Sequence, residues 1–536
     1  MRVVVIGAGV GGLTTAALLA QAGLEVTVLE HHTYPGGSAG TFWHQGFRFD
    51  AGATLLAGFD EEGVFTRLER RLGVCFPVRK LAQGEPLMEV WLPDGRVVPR
   101  PVGRGYELQV QLEAFGPAVQ RFWCWQEKRA LALWKLAQGL PFPPADTQEL
   151  RQLVQKGLPW ALAHLADLPG LLADLLRRTA AHAPANPMFR RFLDAQLLIA
   201  SQTDSRHTYA LFGAAALDLP HRGPALPQGG MGAVPETLAQ AVTQYGGRVL
   251  YRHRVERLQL RNGRVEAVEV ALGGRRRGER EVLEADLFIA NLTPGDLAAL
   301  VPDGPRQAPP ADAWGAFMLY AVVPEDVVPP GAPYRQWAGE GEWTFVSLAD
   351  AGDRLRGPAG LRVLSASVHT RLSEWQGLSK EAYRAQKKAW QERLERQVER
   401  LLPGFRESAV LVLGATPHTY HFYTRRQDGW VGGYPQVHPL RTPSPRTPFP
   451  NLWRVGETIF PGQSVPAVAM GGERVAALVL ARLGLAQPIA LFTDMAAHEN
   501  ENASGPRRMF SSFQAATVLP RTKLTRSRMA HNRRAL

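Results

Sequence analysis

The first residues that could bind a ligand form a glycine-rich turn close to the start of the chain. Gly7, Gly9 and Gly12 have the spacing GxGxxG and follow an apolar run at residues 3–6. In such a turn the first glycine permits a tight bend, the second lets the backbone approach a pyrophosphate, and the third lets a helix pack closely on a strand. The free amides at the start of that helix attract phosphate oxygens. The pattern therefore predicts a dinucleotide site.

An acidic residue follows where a ribose-binding carboxylate is expected. Residues 25–29 (EVTVL) predict a second strand that ends at Glu30, 18 residues beyond Gly12. A carboxylate at this spacing can accept hydrogen bonds from ribose hydroxyls. Strand, glycines, helix, strand and acid in this order are a much stronger indication than GxGxxG alone.

The same stretch has two other interpretations. Residues 3–24 contain no charge, are long enough to cross a bilayer, and begin where a signal peptide would begin. Their central glycines argue against a spanning helix, because each costs about 1 kcal/mol in a helix relative to alanine. We therefore expect a strand over residues 3–6, a helix over residues 13–22, and neither a signal peptide nor a transmembrane helix. Two cysteines without a CxxC pair suit a reducing compartment, and a cytoplasmic location is expected.

Two further glycine motifs distinguish the type of dinucleotide. Gly36 and Gly37 follow Glu30 by six and seven residues, in HHTYPGGSAGTF. Near the far end, NLWRVGETIF predicts a short strand over residues 452–455 that closes with Gly456 and Glu457, followed by a helix over residues 467–483. The first fingerprint alone does not choose between NAD and FAD.

With these motifs the sequence resembles the FAD-dependent amine-oxidase-like superfamily, and more narrowly its phytoene desaturase and carotenoid isomerase branch. The similarity continues through GPALPQGGMGAVPETLAQAVTQYGGRV at residues 223–249 and through segments at residues 361–378 and 415–436. It covers roughly residues 1–485 and is most specific at both ends. The resemblance implies that FAD is the cofactor.

The resemblance also implies which residues hold FAD. They are Gly7, Gly9, Gly11, Gly12 and Glu30 for the ADP half, Gly36, Gly37 and Ser38 for the pyrophosphate and ribityl chain, Val255 for a backbone clasp of the adenine, and Gly456, Glu457 and Val465 for the ribityl end beside the isoalloxazine. Ser38 is a departure, because many relatives have Arg or Lys directly after the two glycines. One cation near the ribose or pyrophosphate is therefore missing.

The segments at residues 343–376 and 415–436 look nearest to carotenoid 3,4-desaturases. The resemblance thus implies a C=C bond introduced into an acyclic, often 1-hydroxylated, carotenoid by hydride transfer to flavin, with oxygen or a quinone as the final electron acceptor. No catalytic residue and no metal ligand is assigned. A redox-neutral carotenoid cis–trans isomerase, a phytoene-type desaturase, an FAD amine oxidase and a carotenoid-binding protein with a vestigial flavin site remain alternatives.

The expected fold is α/β, with a Rossmann-type FAD-binding domain of the GR2-like class and an inserted α+β substrate domain. We expect the FAD-binding domain to comprise residues 1–95, 220–305 and 445–485. Residues 96–219 and 306–444 would then form the substrate and membrane-contact domain. A domain is built from separated segments of the chain when another domain is inserted into its sequence.

An unusually apolar segment, residues 153–178, has two interpretations. Its many leucines and few charges are typical of a helix that lies in a membrane interface, through which a lipid substrate could enter. Its two prolines, Pro159 and Pro169, are equally compatible with ordinary helical core. Peripheral membrane association is expected on the first interpretation.

The net charge of +12 favours contact with an anionic surface, and part of it lies near the C-terminus. Residues 486–536 are rich in Arg, Ser and Asn without sustained periodicity, so we expect a basic, disordered tail. The tail is either simply solvated or an electrostatic tether. The chain shows no recognised nucleic-acid module, and no nucleic-acid partner is expected.

Overall fold

The protein folds from short β-branched strands with apolar helices packed between them. Its structure, a computed structural model, describes residues 1–139, 144, 147–302, 304, 313–339, 341, 343–431, 438 and 442–485. The predicted disordered tail, residues 486–536, lies outside the described residues, and its disorder stays a prediction.

The strands in chain order are β1 (Arg2–Ile6), β2 (Glu25–Glu30), β3 (Thr41–His44), β4 (Phe47–Asp50), β5 (Val78–Lys80), β6 (Pro86–Trp91), β7 (Val97–Pro101), β8 (Ala225–Pro227), β9 (Arg248–Tyr251), β10 (His253–Arg261), β11 (Arg264–Leu272), β12 (Arg280–Glu284), β13 (Leu287–Ala290), β14 (Trp314–Pro324), β15 (Tyr334–Ala338), β16 (Trp343–Leu348), β17 (Leu361–Arg371), β18 (Leu411–Ala415) and β19 (Leu452–Arg454).

The α-helices are α1 (Val10–Gln21), α2 (Val64–Leu72), α3 (Arg104–Phe115), α4 (Ala118–Gly139), α5 (Thr147–Ala163), α6 (Leu168–Leu176), α7 (Pro187–Ser201), α8 (Ala210–Asp218), α9 (Ala233–Gln244), α10 (Pro294–Leu300), α11 (Lys380–Leu401), α12 (Phe405–Ser408), α13 (Pro417–Thr424) and α14 (Val465–Arg482).

A five-stranded parallel sheet in the order β19-β13-β1-β2-β9 carries the first glycine motif. Strand β1 is central and buried, which explains its run of β-branched residues without alternation. Helix α1 follows it and packs against α9 and α14. Because α1 is buried on nearly all sides, it is apolar all round rather than amphipathic. It begins at Val10, three residues before the predicted start, since the last part of the glycine turn already has helical hydrogen bonding.

A hairpin turn at Asn262 and Gly263 joins β10 to β11 in a three-stranded antiparallel sheet completed by β12. Both turn residues have positive φ, 50° and 71°, as a two-residue hairpin turn of this type requires. One face of this sheet packs on the five-stranded sheet through a shared apolar cluster.

A seven-stranded sheet in the order β18-β14-β17-β16-β15-β6-β7 forms the second body of strands. All neighbours in it are antiparallel except β15 and β6. Strands β6 and β7 come from residues 86–101, so the first segment of the chain contributes to this sheet also. The α/β class with a Rossmann-type parallel sheet is confirmed, whereas the domain boundaries remain predictions.

Helices α5 and α6 cover the apolar segment around residues 153–178 and are largely exposed. Large apolar side chains along them and in the short helical turn between them have exposed fractions between 49% and 81%: Leu150, Val154, Leu158, Leu162, Leu165, Leu172 and Leu176. We call these seven side chains the α5–α6 face. Such exposure does not fit the interpretation of this segment as helical core. Among the described residues, no helix is long and apolar enough to pass through a bilayer.

Candidate dinucleotide site

A cavity of about 970 Å³ lies at the carboxyl edge of the five-stranded sheet. Residues at the ends of β1, β2, β13 and β19 line it, including Ile6, Glu30, Asn291 and Val455. In open α/β sheets, ligands bind in the crevice outside the carboxyl ends of the strands. The volume suits a ligand as large as a dinucleotide.

The first glycine turn forms the floor of this cavity. Gly7 has a φ of 95°, and its N–H donates to Leu29 O over 2.8 Å, which bends the chain back towards β2. A Cβ on Gly9 would lie 2.4 Å from Asn291 Nδ2, so only glycine leaves the loop where it is. No side chain caps the N-terminus of α1, which starts at Val10 beside the cavity. The geometry leaves room for an anion at these amides.

Gly11 and Gly12 do not line the cavity. A Cβ on Gly12 would lie 2.4 Å from Gly7 O, and one on Gly11 would lie 3.0 Å from a methyl carbon of Val468 on α14. Both glycines therefore permit close packing of α1 on its neighbours. Their contribution to ligand binding is indirect, through the position of the loop.

Glu30 is buried at the end of β2 and holds the loop together. Its Oε2 accepts from Ala8 N–H over 2.8 Å, and its Oε1 accepts from His32 N–H over 2.7 Å. The ring of His31 lies 2.9 Å from Oε1. Burial raises the pKa of the Glu30 carboxyl, but the hydrogen bonds from His31 and the two amides outweigh it and hold the pKa below its ordinary value. The carboxylate is thus ionised, and Oε2 retains a lone pair for a ribose hydroxyl.

The second glycine motif pairs directly with the first. Gly36 N–H donates to Ala8 O over 2.8 Å, and Gly36 and Gly37 have positive φ of 114° and 54°. Both line the cavity, as does Ser38. The Ser38 hydroxyl is buried and has no hydrogen-bond partner among the described residues. A buried hydroxyl in this state is well placed to bond a ligand oxygen.

The late motif approaches the cavity from β19. Gly456 has a φ of 118°, and the Glu457 carboxylate pairs with Arg426. Val465 lines the cavity as the first residue of α14. The Thr458 hydroxyl in the same lining is buried and has no partner among the described residues. This side of the cavity therefore also presents a hydroxyl to a ligand.

Val255 lines the cavity from β10, next to an irregularity in the pairing of β10 with β11. The irregularity falls between Val255 and Arg257, which leaves Glu256 without a cross-strand partner residue. A bulge of this kind frees backbone groups from the ladder. The backbone near Val255 can therefore contact a ligand, in the way that the resemblance implies.

Several lining residues were absent from the sequence prediction. Asn291 directly follows the buried strand β13, and the rule about carboxyl ends of parallel strands could have found it. Tyr320 on β14 and Tyr420 on α13 both donate to Ala51 O, over 2.6 and 2.5 Å. They come from the seven-stranded sheet and its helix, and nothing in the local sequence indicates that they meet the dinucleotide elements.

The residues present fit FAD on observations of their own. The loop amides face the cavity, an ionised carboxylate ends β2, and the two partnerless hydroxyls of Ser38 and Thr458 line the two sides. Ten of the twelve residues that the resemblance assigns line the one cavity, and Gly11 and Gly12 support it from behind.

Comparison with known proteins gives consistent matches. Residues 10–480 match the family model described as flavin containing amine oxidoreductase. Prolycopene isomerase from Daucus carota is 28% identical, over 90% of this chain and 80% of its own length. Hydroxyneurosporene desaturase from Cereibacter sphaeroides is 27% identical, over 90% of this chain and 98% of its own length. A solved structure of wild-type putrescine oxidase bound to putrescine aligns with a TM-score of 0.56 at 16% identity, over 90% of this chain and 100% of that one.

We predict that Gly9→Val abolishes flavin binding. The new side chain displaces Asn291 and fills the space at the start of α1, since even a Cβ there would be 2.4 Å from Asn291 Nδ2. The purified variant should lack flavin absorbance while its circular dichroism stays that of a folded protein. Gly105→Ala is the control, because a Cβ at Gly105 meets no atom within 4 Å. Full flavin content in Gly9→Val would show that the loop is not the binding site.

We predict that Glu30→Gln lowers the free energy of unfolding by about 1–3 kcal/mol at neutral pH. Each carboxylate oxygen of Glu30 accepts a hydrogen bond from a backbone N–H. A Gln side chain has only one oxygen, so its NH2 group would face one of these two backbone N–H groups. Because the folded pKa of Glu30 is lowered, its contribution is present above the ordinary carboxyl pKa and is lost as the pH falls through the lowered pKa.

Urea denaturation of both proteins across the acidic range measures this prediction. The difference in unfolding free energy should shrink as the pH falls. The control is Glu25→Gln, since Glu25 is exposed at the start of the same strand. An equal difference at acidic and neutral pH would contradict the assignment of an ionised Glu30.

Proposed function

Because the chain belongs to the flavin containing amine oxidoreductase family, we propose that it is an FAD-dependent desaturase that introduces a C=C bond into an acyclic, often 1-hydroxylated, carotenoid. The predicted phytoene desaturase and carotenoid isomerase branch and the predicted cofactor, FAD, are confirmed by the family match and by the carotenoid enzymes among the relatives. The residues proposed to hold FAD are those of the cavity lining described above.

The observation that carries the proposal is the character of the cavity beyond the glycine loops. Phe42, Trp43, Tyr320 and Leu413 line it there, so a largely apolar molecule could lie beside the flavin. Four carboxylates also line the cavity, and each has a partner: Glu30 with His31, Glu256 with Arg254 and Arg280, Asp296 with Thr293, and Glu457 with Arg426. Among the described residues, no uncommitted carboxylate is left to receive a substrate ammonium.

This argument favours a polyene over an amine as the substrate. An amine oxidase would want an aromatic cage beside the flavin, and neither Trp430 nor Tyr434 establishes one. Trp430 is buried in a small cluster with Ala313 and Leu372 and does not line the cavity. Tyr434 lies outside the described residues. Trp430 therefore does not contribute to an aromatic cage at this cavity.

The chain's own groups bind and orient rather than act as strong bases. FAD, when bound, supplies the hydride acceptor. Burial raises the pKa of both Tyr320 and Tyr420 above the ordinary tyrosine value, so both hydroxyls stay protonated and donate to Ala51 O. They hold the loop that follows β4 against the cavity. Hydride loss from an allylic C–H bond leaves a stabilised cation. Proton loss from the neighbouring carbon therefore needs only a weak acceptor. Oxygen or a quinone is proposed as the final electron acceptor.

Expression of the chain in a carotenoid-producing host tests the proposed reaction. We expect pigments that are two hydrogens lighter for each bond introduced, and no such change with the Gly9→Val variant. A product of unchanged mass and altered geometry would contradict desaturation and favour the cis–trans isomerase. Unchanged pigments across several acyclic carotenoids would contradict both, and flavin-free protein that binds a carotenoid would favour a binding protein.

We also propose that the protein associates peripherally with a membrane through the α5–α6 face. Its members within each helix are four residues apart or a multiple of four, so they lie on one side of that helix. Arg151 and Arg177 are exposed near the two ends of that face, where they can meet anionic headgroups. A carotenoid dissolves in lipid, so a contact with the bilayer would shorten its path to the cavity.

We predict that Leu158→Asp with Leu162→Asp lowers partitioning onto phosphatidylcholine–phosphatidylglycerol vesicles at least tenfold. The two side chains are 55% and 61% exposed, and loss of their burial in the interface removes more than about 1.4 kcal/mol of apolar transfer. Co-sedimentation measures the partitioning. The control is Leu355→Asp with Val410→Asp, since those residues are similarly exposed, at 56% and 60%, but outside the face. Equal losses in both double variants would contradict a specific role of the face.

A further inference from the structure

The turn that follows α13 covers the dinucleotide cavity from the side of the seven-stranded sheet. Residues 424–426 line the cavity. The turn is tied down at two points, because Arg426 pairs with Glu457 and Gln427 N–H donates to Asp296 Oδ1 over 3.1 Å. Helix α13 itself packs against the short helical turn Gly37–Ala39. An insertion in the chain thus contributes to the same site as the glycine motifs.

Arg425 occupies a strained position in this turn. It ends α13 in the left-handed region, with φ 59° and ψ 14°, and its N–H donates to His421 O over 3.0 Å. Glycine or asparagine is usual at such a helix end, because a side chain there costs about 1–2 kcal/mol. An arginine at a position with this cost points to a use for its side chain.

The charges of the cavity lining single out the same residue. Among the described residues the lining has three arginines, and two of them pair with carboxylates: Arg254 with Glu256 and Arg426 with Glu457. The Arg425 guanidinium lies 5.5 Å from the centre of the Phe422 ring and has no carboxylate partner among the described residues. It is therefore the arginine of the lining whose charge is not already balanced.

A cation is missing at the second glycine motif. Ser38 stands directly after Gly36 and Gly37, where many relatives in the wider superfamily have Arg or Lys, and its buried hydroxyl is without a partner among the described residues. A pyrophosphate at the start of α1 carries more negative charge than the helix amides balance, since a helix terminus contributes about half a unit charge. Helix α13, which Arg425 follows, packs on the turn that contains Ser38.

We propose that Arg425 supplies this cation and binds the pyrophosphate of FAD. The inference rests on the proposed placement of FAD in the cavity. On this view Arg425, in the turn that follows α13, adds positive charge to the part of the flavin site that binds the phosphates. Release of FAD would then require Arg425 to give up its contact with the phosphates.

Substitution of Arg425 separates this role from a structural one. Arg425→Gly removes the cation and relieves the left-handed strain, so a residue with only a structural role in the turn would leave ligand binding unchanged. Arg425→Lys keeps a charge of the same sign. Arg400→Ala is the control, because Arg400 is an exposed arginine on α11 that lies over the Trp337 ring and does not line the cavity.

The experiment titrates FAD, ADP and riboflavin into the full-length protein after flavin removal, with flavin fluorescence as the readout and ADP as a competitor. Arg425→Gly should weaken FAD and ADP binding about tenfold, which is the size of one partly exposed charge-assisted contact. Riboflavin, which has no phosphate, should bind unchanged. Arg425→Lys should keep most of the affinity, and added salt should narrow the gap between wild type and Arg425→Gly.

Unchanged FAD and ADP affinity in Arg425→Gly would overturn the proposal. An equal loss of riboflavin affinity would also overturn it, because the effect would then be on the shape of the site and not on the phosphates. A wild-type protein that fails to bind FAD would instead refute the proposed function, and the two failures are therefore distinguishable.

Discussion

The hydrogen bond from Ala8 N–H to the Glu30 carboxylate is the contact on which the rest of the site depends. It joins the glycine turn after β1 to the end of β2. The other carboxylate oxygen fixes the next turn through His32, and Gly36 N–H returns to Ala8 O. Three stretches of chain are thus closed into one ring of hydrogen bonds. Burying a charge is costly, and the ring forms because each buried donor finds the ionised carboxylate or a carbonyl.

The second sheet completes what this ring begins. Tyr320 and Tyr420 fix the loop at Ala51, and Arg426 ties the turn after α13 to Glu457. The dinucleotide elements and the covering elements are therefore separate in sequence but continuous in space. Because of this division, sequence changes in the inserted segments can alter which substrate binds without disturbing the loops that bind the cofactor.

The aromatic wall of the cavity and the exposed α5–α6 face both relate to the insolubility of a carotenoid in water. A carotenoid is almost insoluble in water, so its enzyme needs a dry cavity and a route from lipid into it. The aromatic wall with Phe42 and Tyr320 suits the first need, and the exposed α5–α6 face suits the second. Exposed leucines are costly in water unless a partner covers them, which gives the proposed bilayer contact its thermodynamic reason.

The sequence by itself determined the dinucleotide elements, because their signals are local. The spacing of Gly7, Gly9 and Gly12 and the position of Glu30 specify a turn, a helix start and a strand end within 30 residues. Hydrophobic pattern alone left residues 153–178 undecided between core and surface, since both interpretations use the same leucines. Only the tertiary structure decided that these side chains are exposed, that Asn291 faces Gly9, and that α13 brings Arg425 and Arg426 to the cleft. These contacts join residues tens to hundreds of positions apart, and strand pairing and helix packing, rather than any local preference, bring them together.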